Sequence, residues 1–235
     1  MSEHTVKSFG EQLEALSALV AQMGGLAEAQ FAAAIEAIAR RDSVAAERAV
    51  GGDARIDEIQ QEIEERALKL LALRQPMAVD LRETLAAIKT AAELERIGDL
   101  AKNIAKRALV LNREPPIRLT QSLARMGKAA QNQLKQVLDA FTSRNADEAE
   151  AVWARDGEID EIYNSLFREL LTYMMEDPRT ITACTHLMFM AKNIERAGDH
   201  VTNIAELVSF RSTGQSFAEA RRKGSGALYT TDTAS

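Results

Sequence analysis

The segment Leu94-Glu95-Arg96-Ile97-Gly98-Asp99 returns one hundred residues later as Ile194-Glu195-Arg196-Ala197-Gly198-Asp199, and Asn-Ile follows each copy, at Asn103-Ile104 and Asn203-Ile204. Residues 23–59 also align without a gap on 126–162 with 13 identities in 37 positions, ending in Ile56-Asp57-Glu58-Ile59 and Ile159-Asp160-Glu161-Ile162. The chain is an internal duplication, and a repeat of this length constrains the architecture more than any single motif. The offset falls from 103 to 100 between the two stretches, so the second copy is three residues shorter, most simply at a turn.

Each copy reads as three helices. Apolar residues recur at helical spacing from about Phe9 to Arg41, and Asp42-Ser43 supplies an N-cap for a second helix running to about Arg74. Pro76 breaks the chain, and a third helix carries Asp80 to about Leu111, stopped by Asn112 and Pro115-Pro116. The second copy repeats the plan: Ile117 to Ser143, a turn at Asn145, a helix to Met175, a break at Asp177-Pro178, and a last helix to about Phe210. With 4 Pro, 12 Gly and 5% aromatic residues in 235, the composition agrees with an all-α protein. The expected fold is two tandem three-helix bundles of six long antiparallel helices, residues 8–112 and 117–211, followed by a polar, Gly-rich tail over 212–235 that frays.

Charge and cysteine usage exclude several classes. The 29 basic and 35 acidic residues leave a net charge of -6, without the electrostatic footprint of a nucleic-acid binder. The first residues lack a signal-peptide pattern, and the sequence reads as having no apolar run long enough to cross a bilayer, so a cytoplasmic location is expected. Cys184, the single cysteine, reads as a small core residue.

Two acidic pairs per copy are the candidate site. Asp53 and Asp57 lie four apart on the middle helix, and Glu95 and Asp99 on the third; Asp156, Asp160, Glu195 and Asp199 repeat them. Residues four apart share a helix face. Asp57 and Glu95 lie 19 residues before and after Pro76, and Asp53 and Asp99 lie 23, so antiparallel helices folding back there bring all four to one height. In the second copy the midpoints fall between Asp177 and Pro178.

At about 100° per residue the acids fall off the apolar stripes, which predicts a shallow acidic surface patch on the seam between two helices. Like charges within about 4–6 Å repel by roughly 1 kcal/mol per pair in water and by more near a low-dielectric surface, so a twice-assembled cluster points to cations. Carboxylate oxygens, with Asn103 or Asn203 assisting, suit hard divalent or trivalent ions such as Mg, Mn, Ca or Fe rather than structural zinc. Gly98 and Gly198 each cost about 1 kcal/mol inside a helix, as if another backbone or a bulky cluster came close. The alternative is solvated helix faces whose acids pair with Arg55, Arg96, Arg196 and Lys102. His200 and His186 read as packing residues.

These motifs, together with Arg74-Gln75-Pro76-Met77-Ala78-Val79-Asp80-Leu81-Arg82, resemble the PhoU family, accessory proteins of bacterial phosphate-specific transport, over about residues 4–210. The resemblance implies a cytoplasmic, non-enzymatic homodimer that restrains the phosphate-starvation response, acting between the ATPase subunit of the phosphate ABC transporter and a sensor histidine kinase. It also implies metal clusters on the eight acids named above. The second copy departs from the pattern at its turn, where Asp177-Pro178-Arg179-Thr180 replaces the Gln75 to Asp80 segment. A carboxylate-bridged metal enzyme or metal store of ferritin-like type is the other reading, but such bundles use Glu-x-x-His pairs aimed into the core, and this chain has none.

Overall fold

The computed structural model describes residues 3–74 and 78–214, and within them the chain is helical. In order come α1 (Glu3–Arg40), α2 (Ser43–Gly51), α3 (Asp53–Arg74), α4 (Ala78–Leu111), α5 (Thr120–Ser143), α6 (Ala146–Trp153), α7 (Asp156–Glu176), a 3-10 turn (Pro178–Thr180) and α8 (Ile181–Thr213). The expected break at Pro76 and the tail beyond Gly214 lie outside the described residues. α1 starts six residues earlier than its periodicity suggests, and α8 runs three residues further.

The duplication is visible down to single backbone angles. Arg41 and Arg144, equivalent in the repeat, both adopt left-handed conformations with φ of 55° and 56°. A non-glycine residue pays about 1–2 kcal/mol for this, and each arginine is held there by its side chain. Arg41 donates to the carbonyls of Leu111 and Asn112 at 3.1 and 3.0 Å, closing the end of α4, while Arg144 pairs with Glu83 at 2.6 Å. The next residues, Asp42 and Asn145, are the caps: Asp42 accepts from Val44 N and Ala45 N, Asn145 from Asp147 N and Glu148 N, satisfying amides that a helix start leaves open.

The middle helix of each repeat, expected as one piece, is two. It breaks at Gly52 in the first copy and at Ala154-Arg155 in the second. A break frees carbonyls from the helical ladder, and a buried glutamine takes one up each time: Gln30 Nε2 donates to Ala49 O at 2.8 Å and the equivalent Gln133 Nε2 to Arg155 O at 3.2 Å. Helical periodicity continues through such a break, so the sequence pattern alone runs across it.

The repeats are not separate bundles. α1 and α4 of the first pack on α5 and α8 of the second, and one continuous apolar core runs through all four helices. α2–α3 and α6–α7 flank this shared core. One stretch, Gly10–Arg40, is long and apolar enough to span a membrane (mean hydropathy 1.2), contrary to the sequence expectation; it is the core helix, with Leu16, Val20, Met23, Ala27 and Phe31 at 0–1% exposure.

Two glycines set the crossing of α1 and α5. A Cβ on Gly24 would lie 2.6 Å from Leu138, and one on Gly127 would lie closer still to Ile35; Gly24 matches Gly127 and Ile35 matches Leu138 in the repeat. Overpacking a contact of this kind costs about 1–3 kcal/mol. Gly127→Ala is therefore expected to lower stability by about that amount, while Gly25→Ala, on the open face where no atom lies within 4 Å, raises it by up to about 1 kcal/mol; chemical denaturation of the two variants checks the contrast.

At one end the shared core is tied by charge. Glu83 of α4, 9% exposed, accepts from Arg211 of α8 and from Arg144, and Arg211 also donates to Ser17 of α1 at 3.0 Å and lies over the Phe141 ring at 4.8 Å. Removing one partner of a buried pair leaves the other charge uncompensated, at about 3–5 kcal/mol. Glu83→Ala is expected to lose about that much in an unfolding titration, whereas Asp139→Ala, which removes the solvent-screened surface pair Lys135–Asp139, is expected to leave the midpoint nearly unchanged.

Candidate functional site

The helix breaks decide where the acids sit. Because α3 and α7 start afresh, Asp53 and Asp156 are their first residues, where the amide end of a helix favours negative charge. Asp57 and Asp160 follow one turn on. Glu95 and Asp99 stand on α4, and Glu195 and Asp199 on α8, each across a seam from the corresponding pair.

Gly98 and Gly198 close these seams, by a cause other than the one expected. A Cβ on Gly98 would meet Ile56 Cδ1 and Gln30 Oε1 at 3.0 Å, and one on Gly198 would meet Ile159 Cδ1 at 2.8 Å. An isoleucine side chain, not a backbone or a cluster, needs the space. The aligned Ile-Asp-Glu-Ile segments thus place an isoleucine into the glycine notch, and the aspartate beside it is carried to the seam.

In the first repeat the four carboxylates come together. Asp57 has its pKa raised by burial and by Asp53 and Asp99, and Lys102 opposes this. Burial also raises Glu95, with Asp99, Asp57 and Asp53 adding to it against the pull of Arg96. Asp53 is only 8% exposed, while Asp57, Glu95 and Asp99 are half-buried, so the patch lies partly sunk in the seam. Lys102 forms a short hydrogen-bonded ion pair with Asp53 across the seam and reaches Asp99 at 3.9 Å; the bond to Asp53 raises its pKa despite desolvation. Arg96, largely in solvent, lies 3.4 Å from Glu95 and 3.9 Å from Asp99. Arg55 pairs with Glu58 instead.

The second seam is arranged differently. Thr202, in the place of Lys102, donates to Asp156 Oδ1 at 2.6 Å. Lys192, one turn before Glu195 on the same helix, pairs with it at 2.6 Å and lies over the Tyr163 ring at 5.4 Å. Burial pulls the Lys192 pKa down, but the bond to Glu195 and the charges of Glu195 and Asp199 carry it above its usual value. Asp160 is exposed.

Donor chemistry and grouping in the first seam suit a hard cation, and an ammonium group already stands there. Among the described residues, though, no three His, Cys, Asp or Glu side chains converge closely enough to hold a metal ion as they stand.

Several residues fall elsewhere than expected. Asn103 is exposed, and Asn203 donates to Glu93 Oε2 at 3.1 Å instead of facing the acids. His200 is a polar contact as well as a packing residue: its Nδ1 lies 2.6 Å from the same Glu93 oxygen, joining α8 to α4. Burial raises the Glu93 pKa, but the bonds from His200 and Asn203 outweigh it and leave the carboxyl below its ordinary value. The available signal was a break in the repeat, since Glu93 and His200 correspond to Asn193 and Leu100. His186 Nδ1 lies 3.4 Å from Arg107, which stacks on Phe189 at 4.2 Å. Cys184 is buried, and that burial pushes its thiol pKa up, away from nucleophilic chemistry.

The PhoU domain model matches this chain twice, over residues 20–108 and 123–208. The chain belongs to the PhoU family. The phosphate-specific transport system accessory protein PhoU homolog of Caulobacter vibrioides is 58% identical over 224 residues, covering 95% of this chain and 97% of that one. The crystal structure of PhoU from Pseudomonas aeruginosa superposes with a TM-score of 0.86 at 38% identity, covering 88% of this chain and 100% of that one. The phosphate transport system regulatory protein PhoU from Streptococcus pneumoniae gives a TM-score of 0.81 at 30% identity, covering 88% and 98%. The two PhoU domains are the two repeats, and each carries one acidic seam.

Raised pKa values on Asp57 and Glu95 have a definite sign. Each binds its proton more tightly in the folded chain, so ionisation costs stability as pH climbs through the carboxylate range, and the cost is complete above the raised values. Asp57→Asn and Glu95→Gln are expected to raise the melting temperature of the metal-free protein at neutral pH and to leave it nearly unchanged below about pH 4, where the wild-type acids are protonated. Melting curves across pH check both arms.

Proposed function

We propose that this chain is a regulator of phosphate uptake and a negative regulator of the phosphate-starvation response, working by binding rather than by catalysis. Membership of the PhoU family along nearly the whole length, with both repeats in order, carries the reading. On this reading it is a cytoplasmic homodimer that docks on the ATPase subunit of the phosphate ABC transporter and on a sensor histidine kinase, reaching the membrane only through them.

The acidic seams are its cation sites. Asp53, Asp57, Glu95 and Asp99 would hold a hard ion such as Mg, Mn, Fe or Ca in the first repeat, and Asp156, Asp160, Glu195 and Asp199 in the second. A bound ion would supply positive charge across each seam. Support comes from the oxygen donor set and from the upward push that the neighbouring acids add to burial in raising the pKa of Asp57 and Glu95. The ferritin-like enzyme reading has no such support, because the acids line seams outside the apolar core.

Deleting the gene should switch on phosphate-starvation genes in phosphate-rich medium; normal repression in the deletion strain would refute the regulatory role. Capture of the tagged protein from membranes should bring down the transporter ATPase and a sensor kinase. Replacing Glu95 and Asp99 by Ala should remove the ions of the first repeat, read by elemental analysis, and unchanged stoichiometry would refute the assignment of those residues.

A further inference from the structure

α4 and α8 run antiparallel, and the contacts between them trace one open groove. Arg107 meets His186 and Phe189 at one end, Glu93 meets His200 and Asn203 midway, and Arg82 lies against Gly214 at the other. Bases recur along this line at helical spacing. Arg82, Lys89 and Arg96 follow one another in seven-residue steps on α4, with Arg107 eleven residues further, and on α8 Arg196 lies seven after Phe189 and seven before Asn203. Five bases therefore share the groove with two carboxylates, Glu93 and Glu206, in a chain of net charge -6. Both carboxylates are already engaged, Glu93 by His200 and Asn203, and Glu206 by Trp153 Nε1 at 3.2 Å. Lys89 and Arg196 are exposed and have no ion-pair partner among the described residues, and Arg82 Nε is buried without a hydrogen-bond partner.

The groove also holds apolar footholds. Ala92, Leu207 and Phe210 line a cavity of about 550 Å³ beside Lys89, and Phe189 stands 51% exposed at the far end. We propose that the α4–α8 groove docks an acidic amphipathic helix of a protein partner, with its carboxylates on Lys89, Arg196 and Arg82 and its apolar side chains on Leu207, Phe210 and Phe189. This rests on the reading of the chain as an adaptor and names the surface through which it docks. A cleft lined by one sign of charge draws a partner of the other sign, and apolar anchors set between such charges suit a helix lying in a groove. From Arg82 to Arg107 the groove runs roughly 37 Å at about 1.5 Å per residue, enough to seat a helix along its whole length. A phosphate-bearing polymer or a flat lipid surface suits it less, because Glu93 and Glu206 stand among the bases and the apolar residues lie in a recess.

Titration of the full chain with the ATPase subunit of the phosphate transporter, and separately with the full-length sensor kinase in detergent, tests the surface. At least one is expected to bind, and to bind more weakly as ionic strength rises. Combining Lys89→Glu with Arg196→Glu weakens that binding by about tenfold or more, equivalent to at least about 1.4 kcal/mol. Phe189→Ser weakens it without changing charge, and Lys128→Glu, on the exposed side of α5, leaves it as in wild type. A photo-crosslinking residue in place of Ala92 labels an acidic helical segment of the partner. Equal binding by wild type and the groove variants, or labelling of a basic or non-helical segment, overturns the groove assignment and leaves the adaptor reading standing. Binding of neither protein overturns the adaptor reading itself. Binding of phosphatidylglycerol vesicles or a short DNA duplex in place of either protein, lost in the double variant, overturns the helical occupant.

Discussion

The shared apolar wall between the repeats is the constraint on which everything else rests. α1, α4, α5 and α8 bury their apolar faces against one another, and neither repeat alone could cover that surface. Helices in proteins owe most of their stability to such burial of an apolar face. The glycines at 24 and 127 let α1 and α5 approach, and the charged tie of Glu83 with Arg144 and Arg211 fastens one end. Only on this platform can α3 lie outside against α4 and α1, and α7 against α8 and α5, with a seam along the α3–α4 and α7–α8 edges.

The seams then follow from local packing. Ile56 and Ile159 enter notches that exist because positions 98 and 198 lack a side chain. That close approach fixes the height of α3 against α4 and of α7 against α8, and so determines which carboxylates meet. The acids gather because apolar packing draws them together, against their mutual repulsion.

Much of this was legible in the sequence, because duplication and helical periodicity are both linear signals. The helix ends at Asp42 and Asn145, and the meeting of Asp53, Asp57, Glu95 and Asp99, follow from capping chemistry and from counting residues across a turn. Three features were not legible, for physical reasons. The breaks at Gly52 and Ala154-Arg155 leave the periodicity nearly in phase, and the residues that accommodate them, Gln30 and Gln133, lie on a different helix. The sharing of one core depends on which apolar faces meet, and amphipathic patterns do not name their partners. Glu93 with His200 and Asn203, and Glu83 with Arg211, join residues more than a hundred positions apart, where no local pattern points from one to the other.

The tie at Glu83 has a topological consequence. Ser17, near the start of the first helix, lies 3.0 Å from Arg211, near the end of the last, so the beginning and end of the fold share one pole of the molecule. At about 1.5 Å per helical residue, the part of α1 before Ser17 extends roughly 20 Å, a gap that a short flexible segment bridges. Joining the ends and reopening the chain between Asn112 and Thr120 would give the same packing with the repeats in the opposite order. Which repeat is translated first is then a matter of where the chain is cut, because the two tandem domains meet through the same shared core in either order.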